Sequence, residues 1–240
     1  MATSEKDRAD RHGPEHRDVS GGWLRPAVFG AMDGLVTNVS LIAGVGGGGG
    51  SQHAIVLTGL AGLAAGAFSM AAGEYVSVSS QNELIHAEVA KERHELTYNA
   101  AAEQAELAGM LRRRGVSAAT AKQAAEEIST DPDKALAVHA LEELGVNPSE
   151  LPSPVVAAGA SLAAFACGAI IPLLPYALGF DSLGVALGLS AIAAIAGGGI
   201  VARLTNRPFW RGALRQLILG SFAAGITYLI GLAVGGMAAT

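Results

Sequence analysis

Asp33 and Glu74 sit where acids are expensive, Asp33 inside an apolar stretch over residues 23–45 and Glu74 inside another over 54–78. A carboxylate at the centre of a bilayer-spanning helix costs about 2.5–3.5 kcal/mol on insertion scales, so such a residue is normally turned inward, paired and put to use. Helical phase gathers further polar groups beside each. Asp33, Thr37 and Ser40 share one face of the first stretch, and Gly66, Met70, Glu74, Ser77 and Gln81 share a stripe on the second. Extended as one helix, that stripe takes in Glu88, Glu92, Glu95, Asn99, Glu103 and Glu106, a line of acceptors running out of the apolar region. Carboxylates and hydroxyls suit hard and borderline divalent cations. The thioether of Met70 offers nothing to Mg²⁺ or Ca²⁺ and tilts the set toward a first-row transition metal.

Outside the apolar stretches, Glu92 with Glu95 and Glu103 with Glu106 each place two carboxylates one turn apart, while His139 and Glu143 share a face at i, i+4. Carboxylate metal sites in helical bundles use this kind of spacing. In an unbroken helix Glu92 and Glu106 would stand about 21 Å apart, too far for one cluster. The chain is therefore expected to turn between Glu95 and Glu103, near residues 97–99, with His139 and Glu143 closing the cluster. The bland alternative is a solvated helix face supported by pairs such as Glu88 with Lys91.

These residues must be positioned by a particular kind of scaffold. Of 240 residues, 50% are apolar and only 15% are charged, against roughly 25% charged in a soluble domain; the mean hydropathy is +0.38. The apolar content excludes a disordered chain, and the single Cys167 excludes a disulfide scaffold. A net charge of −5 without a basic excess argues against nucleic acid as a partner. Five segments, at 23–45, 54–78, 155–178, 183–202 and 212–237, meet the length of about 20 apolar residues that a bilayer requires. The fold class is thus all-α: a polytopic membrane protein with five transmembrane helices and a helical cytoplasmic metal-binding insertion at 79–153. That insertion holds 13 of the 21 acids. Arg114-Gly115 breaks it once, Asp131-Pro132 starts a new helix, and the stretch from Gly145 to Pro148 ends it. Domains follow as a disordered cytoplasmic tail (1–22), spans one and two (23–78), the insertion (79–153) and spans three to five (154–240). All 16 Lys and Arg residues fall on one side of this arrangement, which makes that side, with the N-terminus, cytoplasmic. Gly184/Gly188 and Gly231/Gly235 read as packing positions, as do Gly66 and Gly73; Pro172 and Pro175 are expected to kink the third span.

The segment Asp33-Gly34-Leu35-Val36-Thr37 and the run Ser69-Met70-Ala71-Ala72-Gly73-Glu74-Tyr75-Val76-Ser77, continued by Ser79-Ser80-Gln81-Asn82-Glu83, resemble the vacuolar iron transporter family. The resemblance covers about residues 23–240. It implies a proton-coupled exporter of ferrous iron, and often manganese, that works as a homodimer with the pathway between subunits. Carried over by position, Asp33, Met70 and Glu74 become transport-path residues. Glu92, Glu95, Glu103, Glu106 and Glu143 become metal ligands on the cytoplasmic domain. His139 stands where the family typically has Met, and imidazole is a good ligand for Zn²⁺, Co²⁺ and Fe²⁺.

The expected function is export of Fe²⁺ and/or Mn²⁺ from the cytosol by metal/proton antiport, with no prosthetic group and no enzymatic activity; Co²⁺ and Zn²⁺ are further candidate cargoes. A five-span protomer cannot divide into equal inverted halves, so the homodimer is expected to form through spans one and two. The expected location is a bacterial plasma membrane, or the vacuolar membrane in a eukaryote. The alternatives are a membrane-tethered di-iron-type oxidase or buffer, and a passive divalent channel.

Overall fold

The computed structural model describes residues 22–238; the tail expected at 1–22 lies, apart from Gly22, outside the described residues. Among the described residues there is no strand. The helices are α1 (Leu24–Gly47), α2 (Gln52–Tyr98), α3 (Ala100–Arg113), α4 (Ala118–Ile128), α5 (Pro132–His139), α6 (Pro154–Ile170), α7 (Leu174–Ala177), α8 (Leu183–Leu204) and α9 (Phe209–Ala238). A π-helical turn (Ala140–Leu144) follows α5, and a 3-10 turn (Ile171–Leu173) separates α6 from α7 where Pro172 and Pro175 interrupt the ladder. Five stretches are long and apolar enough to cross a bilayer: α1, α2, α6 with α7, α8 and α9.

Helix α1 is the centre of the bundle and packs against α2, α6, α8 and α9. The contact with α6 is backbone to backbone: a Cβ built on Gly34 would lie 2.1 Å from the Phe165 carbonyl oxygen, and one on Gly168 would lie 2.1 Å from that of Ala31. Gly231 and Gly235 of α9 lie equally close to Gly44 and Gly48. Bilayer helices gain their affinity from such close approach, since lipid is as apolar as any side chain. Gly73 and Gly188, by contrast, have nothing within 4 Å; Gly73 is on the exposed face of α2, and Gly188 borders a cavity between α1, α8 and α9.

These contacts also fix depth. Gly30, Gly34 and Asn38 meet Ser161, Phe165 and Ala169 in turn, so α6 runs parallel to α1. Gly62 and Gly66 meet Asn38 and the Phe165 ring, so α2 runs antiparallel with Gly62 opposite Asn38. By that register Asp33 is level with Ala67, whereas Glu74 is level with Pro26. At ~1.5 Å per residue, Asp33 stands roughly 14 Å above the first residue of α1 and Glu74 only roughly 3 Å. The starts of α1, α6 and α9, the emerging half of α2 and the α8–α9 junction therefore share one end of the bundle.

Beyond Val78, α2 leaves the apolar layer; from Glu83 onward its sequence is charged, and this half builds a lobe with α3, α4 and α5. Each joint of the lobe has a local cause. Arg114 and Gly115, the latter at φ +94°, end α3. Ser117 caps α4. Asp131 caps α5 by accepting from the backbone N–H groups of Asp133 and Lys134, ahead of Pro132 at the first position; those bonds hold the Asp131 carboxyl below the usual range. Gly145, at φ +67°, closes the π-helical turn. Two ion pairs tie the pieces together: Arg93 on α2 with Asp133 at 3.3 Å, and Arg114 with Glu142 at 2.8 Å.

Candidate metal centre

The turn required by distance is present. Helix α2 stops at Tyr98, Asn99 takes φ −124° and ψ 28°, and α3 sets off in a new direction. Its side chain donates to a Glu95 carboxylate oxygen. On α3 the buried face is Glu103, Leu107 and Met110, so the apolar spacing that seats the helix also turns Glu103 inward. On α5 it is Ala135, Leu136 and His139, which carries the imidazole inside by the same logic. The π-helical turn begins straight after His139 and sets Glu143 over it; Arg114 braces the neighbouring Glu142.

Four ligand atoms converge there. One from each of Glu92, Glu103, His139 and Glu143 lie within 4.8 Å of one another. His139 Nδ1 is 3.0 Å from Glu92 Oε1, 3.1 Å from Glu143 Oε1 and 3.8 Å from Glu103 Oε2, and the imidazole is fully buried. Nitrogen and oxygen ligands bind a first-row ion at about 2.0–2.2 Å, which in a tetrahedral arrangement spaces them by about 3.4 Å. The three separations bracket that value, so only small side-chain shifts would bring the set onto one cation. Glu92 Oε1 accepts no hydrogen bond despite its 3.0 Å distance from the imidazole nitrogen, and it is buried. Burial, reinforced by the charge of Glu143, holds the Glu92 carboxyl above the usual range; burial and then Glu106 do the same for Glu103, while His139 pulls both down. Like charges have been brought together around a single imidazole.

Glu95 and Glu106 complete the predicted list but are exposed; their charges act on Glu103 without joining the four atoms. The second nitrogen of His139, Nε2, is buried and has no hydrogen-bond partner. Ligating histidines usually donate that proton to an acceptor; here the ring is oriented by its packing and by the Nδ1 contacts to Glu143 and Glu92.

Among the residues inside the apolar layer, Asp33 is half-buried and accepts a 3.3 Å hydrogen bond from Thr37 Oγ1. Met70 is half-buried against Ala67, Phe165 and Ala169. Glu74 is half-buried. Asp33 and Glu74 are not brought together within a protomer: by the register above they are offset by seven residues, roughly 10 Å. The stripe on α2 also drifts from its expected course. Its less exposed face passes through Met70, Glu74, Val78, Asn82, Ile85, Glu88, Val89 and Glu92, leaving Ser77, Gln81, Glu95 and Asn99 outside. The helix crosses first α6 and then α5, so the contacting line advances by nearly four residues per turn. Asn38 was missed by helical phase, because it points away from Asp33 and Thr37. It is fully buried, donates to the Ala169 carbonyl and leaves its own Oδ1 unpartnered. The legible signal was an amide within an apolar run.

Comparison with known proteins bears on the family of the chain. A profile of the VIT family matches residues 24–232. The vacuolar iron transporter of Acanthamoeba castellanii is 35% identical over 226 residues, covering 91% of this chain and 82% of that protein. In Oryza sativa subsp. japonica, vacuolar iron transporter homolog 1 is 35% identical over 218 residues, covering 86% of this chain and 71% of its own length. Vacuolar iron transporter 1 of the same organism is 28% identical over 241 residues, covering 98% and 94%. With five bilayer-length helices and a match over nearly its whole described length, this integral membrane protein belongs to the VIT family.

Proposed function

We propose that the protein exports Fe²⁺, and Mn²⁺ as a second cargo, from the cytosol in exchange for protons. The observation that carries this reading is the four-atom set of Glu92, Glu103, His139 and Glu143, held at the foot of the same helix whose membrane half bears Met70 and Glu74. Iron as cargo follows the names of the relatives. The placement of every Lys and Arg on the lobe's side supports a cytoplasmic lobe. Bacterial plasma membrane and vacuolar membrane both satisfy that orientation.

In this mechanism the lobe captures the ion, and its acidic field raises the local cation concentration. The ion then meets Glu74 and Met70 near the base of the bundle and Asp33 above them. A carboxylate in such surroundings holds either a proton or a cation, and that competition is the coupling. The exposed outer face of α2, including Gly73 with nothing against it, supports a homodimer that uses spans one and two to enclose the path. The four ligand atoms suit one cation, whereas di-iron bundles pair carboxylates with two Glu-x-x-His motifs, so the oxidase alternative gains no support from the geometry.

The experiment is Fe²⁺ flux in proteoliposomes under an imposed proton gradient, with Glu74→Gln alongside. Flux that follows the gradient in the parent and disappears in the variant is expected. Gradient-independent flux would point to a channel, and undiminished flux in Glu74→Gln would remove that residue from the path.

A further inference from the structure

Four arginines crowd the α8–α9 junction: Arg203 ends α8, Arg207 lies in the loop, and Arg211 and Arg215 occupy the first two turns of α9. All four are exposed. The sequence contains no acid after Asp181, and among the described residues none of the four has a carboxylate partner. Two of them rest on aromatic faces instead, Arg203 over Phe209 at 5.4 Å and Arg211 over Trp210 at 5.3 Å. Cations at the beginning of a helix oppose the positive end of its dipole. This arrangement therefore concentrates positive charge with no carboxylate against it among the described residues.

Position and direction say what answers it. Helix α8 is 22 residues long, about 33 Å at ~1.5 Å per residue, so its end and the start of α9 lie at headgroup level. Helix α9 turns Phe209, Gly212 and Gln216 toward α8, and Thr227 and Gly231 toward α1. Arg211 and Arg215 project from the opposite side, into the surrounding lipid. The same stripe continues upward through Ile218, Phe222 and Ile226, which are 56%, 68% and 42% exposed. A charged base beneath an apolar track matches a phospholipid in both chemistry and length. A second copy of the chain fits this face poorly. Copies inserted in the same orientation pair about an axis along the membrane normal, so residues at equal depth meet, and Arg211 and Arg215 would confront their own counterparts.

We infer that this face of α9 binds an anionic phospholipid, with its phosphodiester on Arg211 and Arg215 and an acyl chain along Ile218, Phe222 and Ile226. Guanidinium forks pair with phosphate oxygens, and an anionic phospholipid offers these without the quaternary ammonium that neutralises a zwitterionic headgroup and is repelled by the arginines. The site is separate from the metal path and does not depend on it.

Trp210 reports on it directly, because Trp23→Phe leaves it as the sole tryptophan. Full-length Trp23→Phe protein is mixed with phosphatidylglycerol or phosphatidylcholine spin-labelled near the glycerol backbone, and quenching is followed against lipid fraction. The expected result is a preference for phosphatidylglycerol of about 5- to 30-fold (about 1–2 kcal/mol), the scale of two interfacial arginines. Arg211→Gln/Arg215→Gln brings the two curves together, and each single variant moves them partway. Arg112→Gln/Arg113→Gln, in the lobe, leaves them apart. Equal quenching by both lipids in the parent, or a preference that survives in Arg211→Gln/Arg215→Gln, overturns the proposal. So does abolition of the preference by millimolar inorganic phosphate, which would assign the arginines to a free anion. The melting temperature, unchanged across the variants, separates loss of the site from loss of the fold.

Discussion

Replacing Glu103 by Gln isolates what one carboxylate contributes to the cluster, because the amide keeps the volume and one oxygen while removing the charge. At a ligand distance of about 2.1 Å, a divalent ion and one carboxylate attract by about 16 kcal/mol at an effective dielectric of 20 and about 4 at 80. Repulsion of Glu103 by Glu92 and Glu143 is present with and without the ion and so drops out of the binding energy. These figures are upper bounds, because the Gln oxygen remains as a neutral ligand and recovers part of the attraction. Glu103 is 8% exposed, but the lobe is only a few short helices thick and solvent lies close, so the lower figure applies. A loss of about 2–3 kcal/mol corresponds to a Kd raised by about 30- to 150-fold. Anaerobic titration calorimetry of the purified full-length protein with Fe²⁺, or with Mn²⁺ in air, reads this directly. Glu126→Gln is the control: it removes the same charge from the same lobe, at an exposed position paired with Lys122 at 3.9 Å. Equal losses in the two variants would mean that only the overall field matters and that the four atoms are not a site. An unchanged Kd in Glu103→Gln would refute the cluster outright.

Three other perturbations follow from the same coordinates. Glu92 and Glu103 titrate above the usual carboxylate range in the metal-free fold. Because a raised carboxyl favours the folded state when protonated, the metal-free protein should gain stability as pH falls through those values and lose it as pH rises. Thermal melts from pH 7 to pH 5 should show this gain, and Glu92→Gln/Glu103→Gln should flatten it; an identical slope in the double variant would discard the assignment. His139→Met should weaken Zn²⁺ and Co²⁺ binding by at least about tenfold, while Mn²⁺, which gains least from imidazole, changes less; a uniform change across the three metals would deny His139 a part in selection. Gly168→Val forces a side chain into the 2.1 Å approach to the Ala31 carbonyl and should cost about 3 kcal/mol, read as a lower melting temperature in detergent. Gly188→Val, into open space, should leave it unchanged.

The spans were legible because the bilayer sets a length that apolar runs either meet or miss, and all five met it. The joint at Asn99 was legible for a different reason: two carboxylate pairs on a straight helix were too far apart to cooperate, so distance alone required a bend. Asp131-Pro132 and Gly145 announced helix ends through capping chemistry that acts within three residues. What remained hidden depends on neighbours distant in sequence. The π-helical turn that seats Glu143 arises where α5 meets α2, and no five-residue pattern encodes it. Phase placed Ser77 and Gln81 on the inner stripe because it assumes a fixed partner, whereas α2 changes partner along its length. The depth difference between Asp33 and Glu74 follows from glycine contacts between α1, α2 and α6, which hydropathy cannot see. Asn38 was passed over because one helical face had already been chosen.

That depth difference changes how the path must work. One carboxylate near the base of the bundle and another roughly 10 Å higher cannot hold a single cation together, so within a protomer they act in succession. The lobe adds an earlier stage. Glu74 and Glu92 belong to one unbroken helix and are 18 residues apart, roughly 27 Å. Between them the less exposed positions of α2 include Val78, Asn82, Ile85, Glu88 and Val89; the Asn82 amide donates to the Pro152 carbonyl at 2.9 Å, and Glu88 is paired with Lys91 at 2.6 Å. In the proposed path, a cation leaving the lobe meets no unpaired carboxylate at these positions until it reaches Glu74. In the proposed mechanism capture and translocation are separate acts: the lobe sets how much ion waits at the base, and Glu74, Met70 and Asp33 set whether it crosses. Because both stations ride on the same rigid helix, a tilt of α2 during transport would move the ligand cluster as well. A tilt of only a few degrees, acting over roughly 27 Å, shifts its far end by an ångström or more. That is comparable with the spread between the 3.0 and 3.8 Å separations around His139, so in the proposed mechanism a tilt of α2 that α3 and α5 did not follow would draw Glu92 away from the other three ligands.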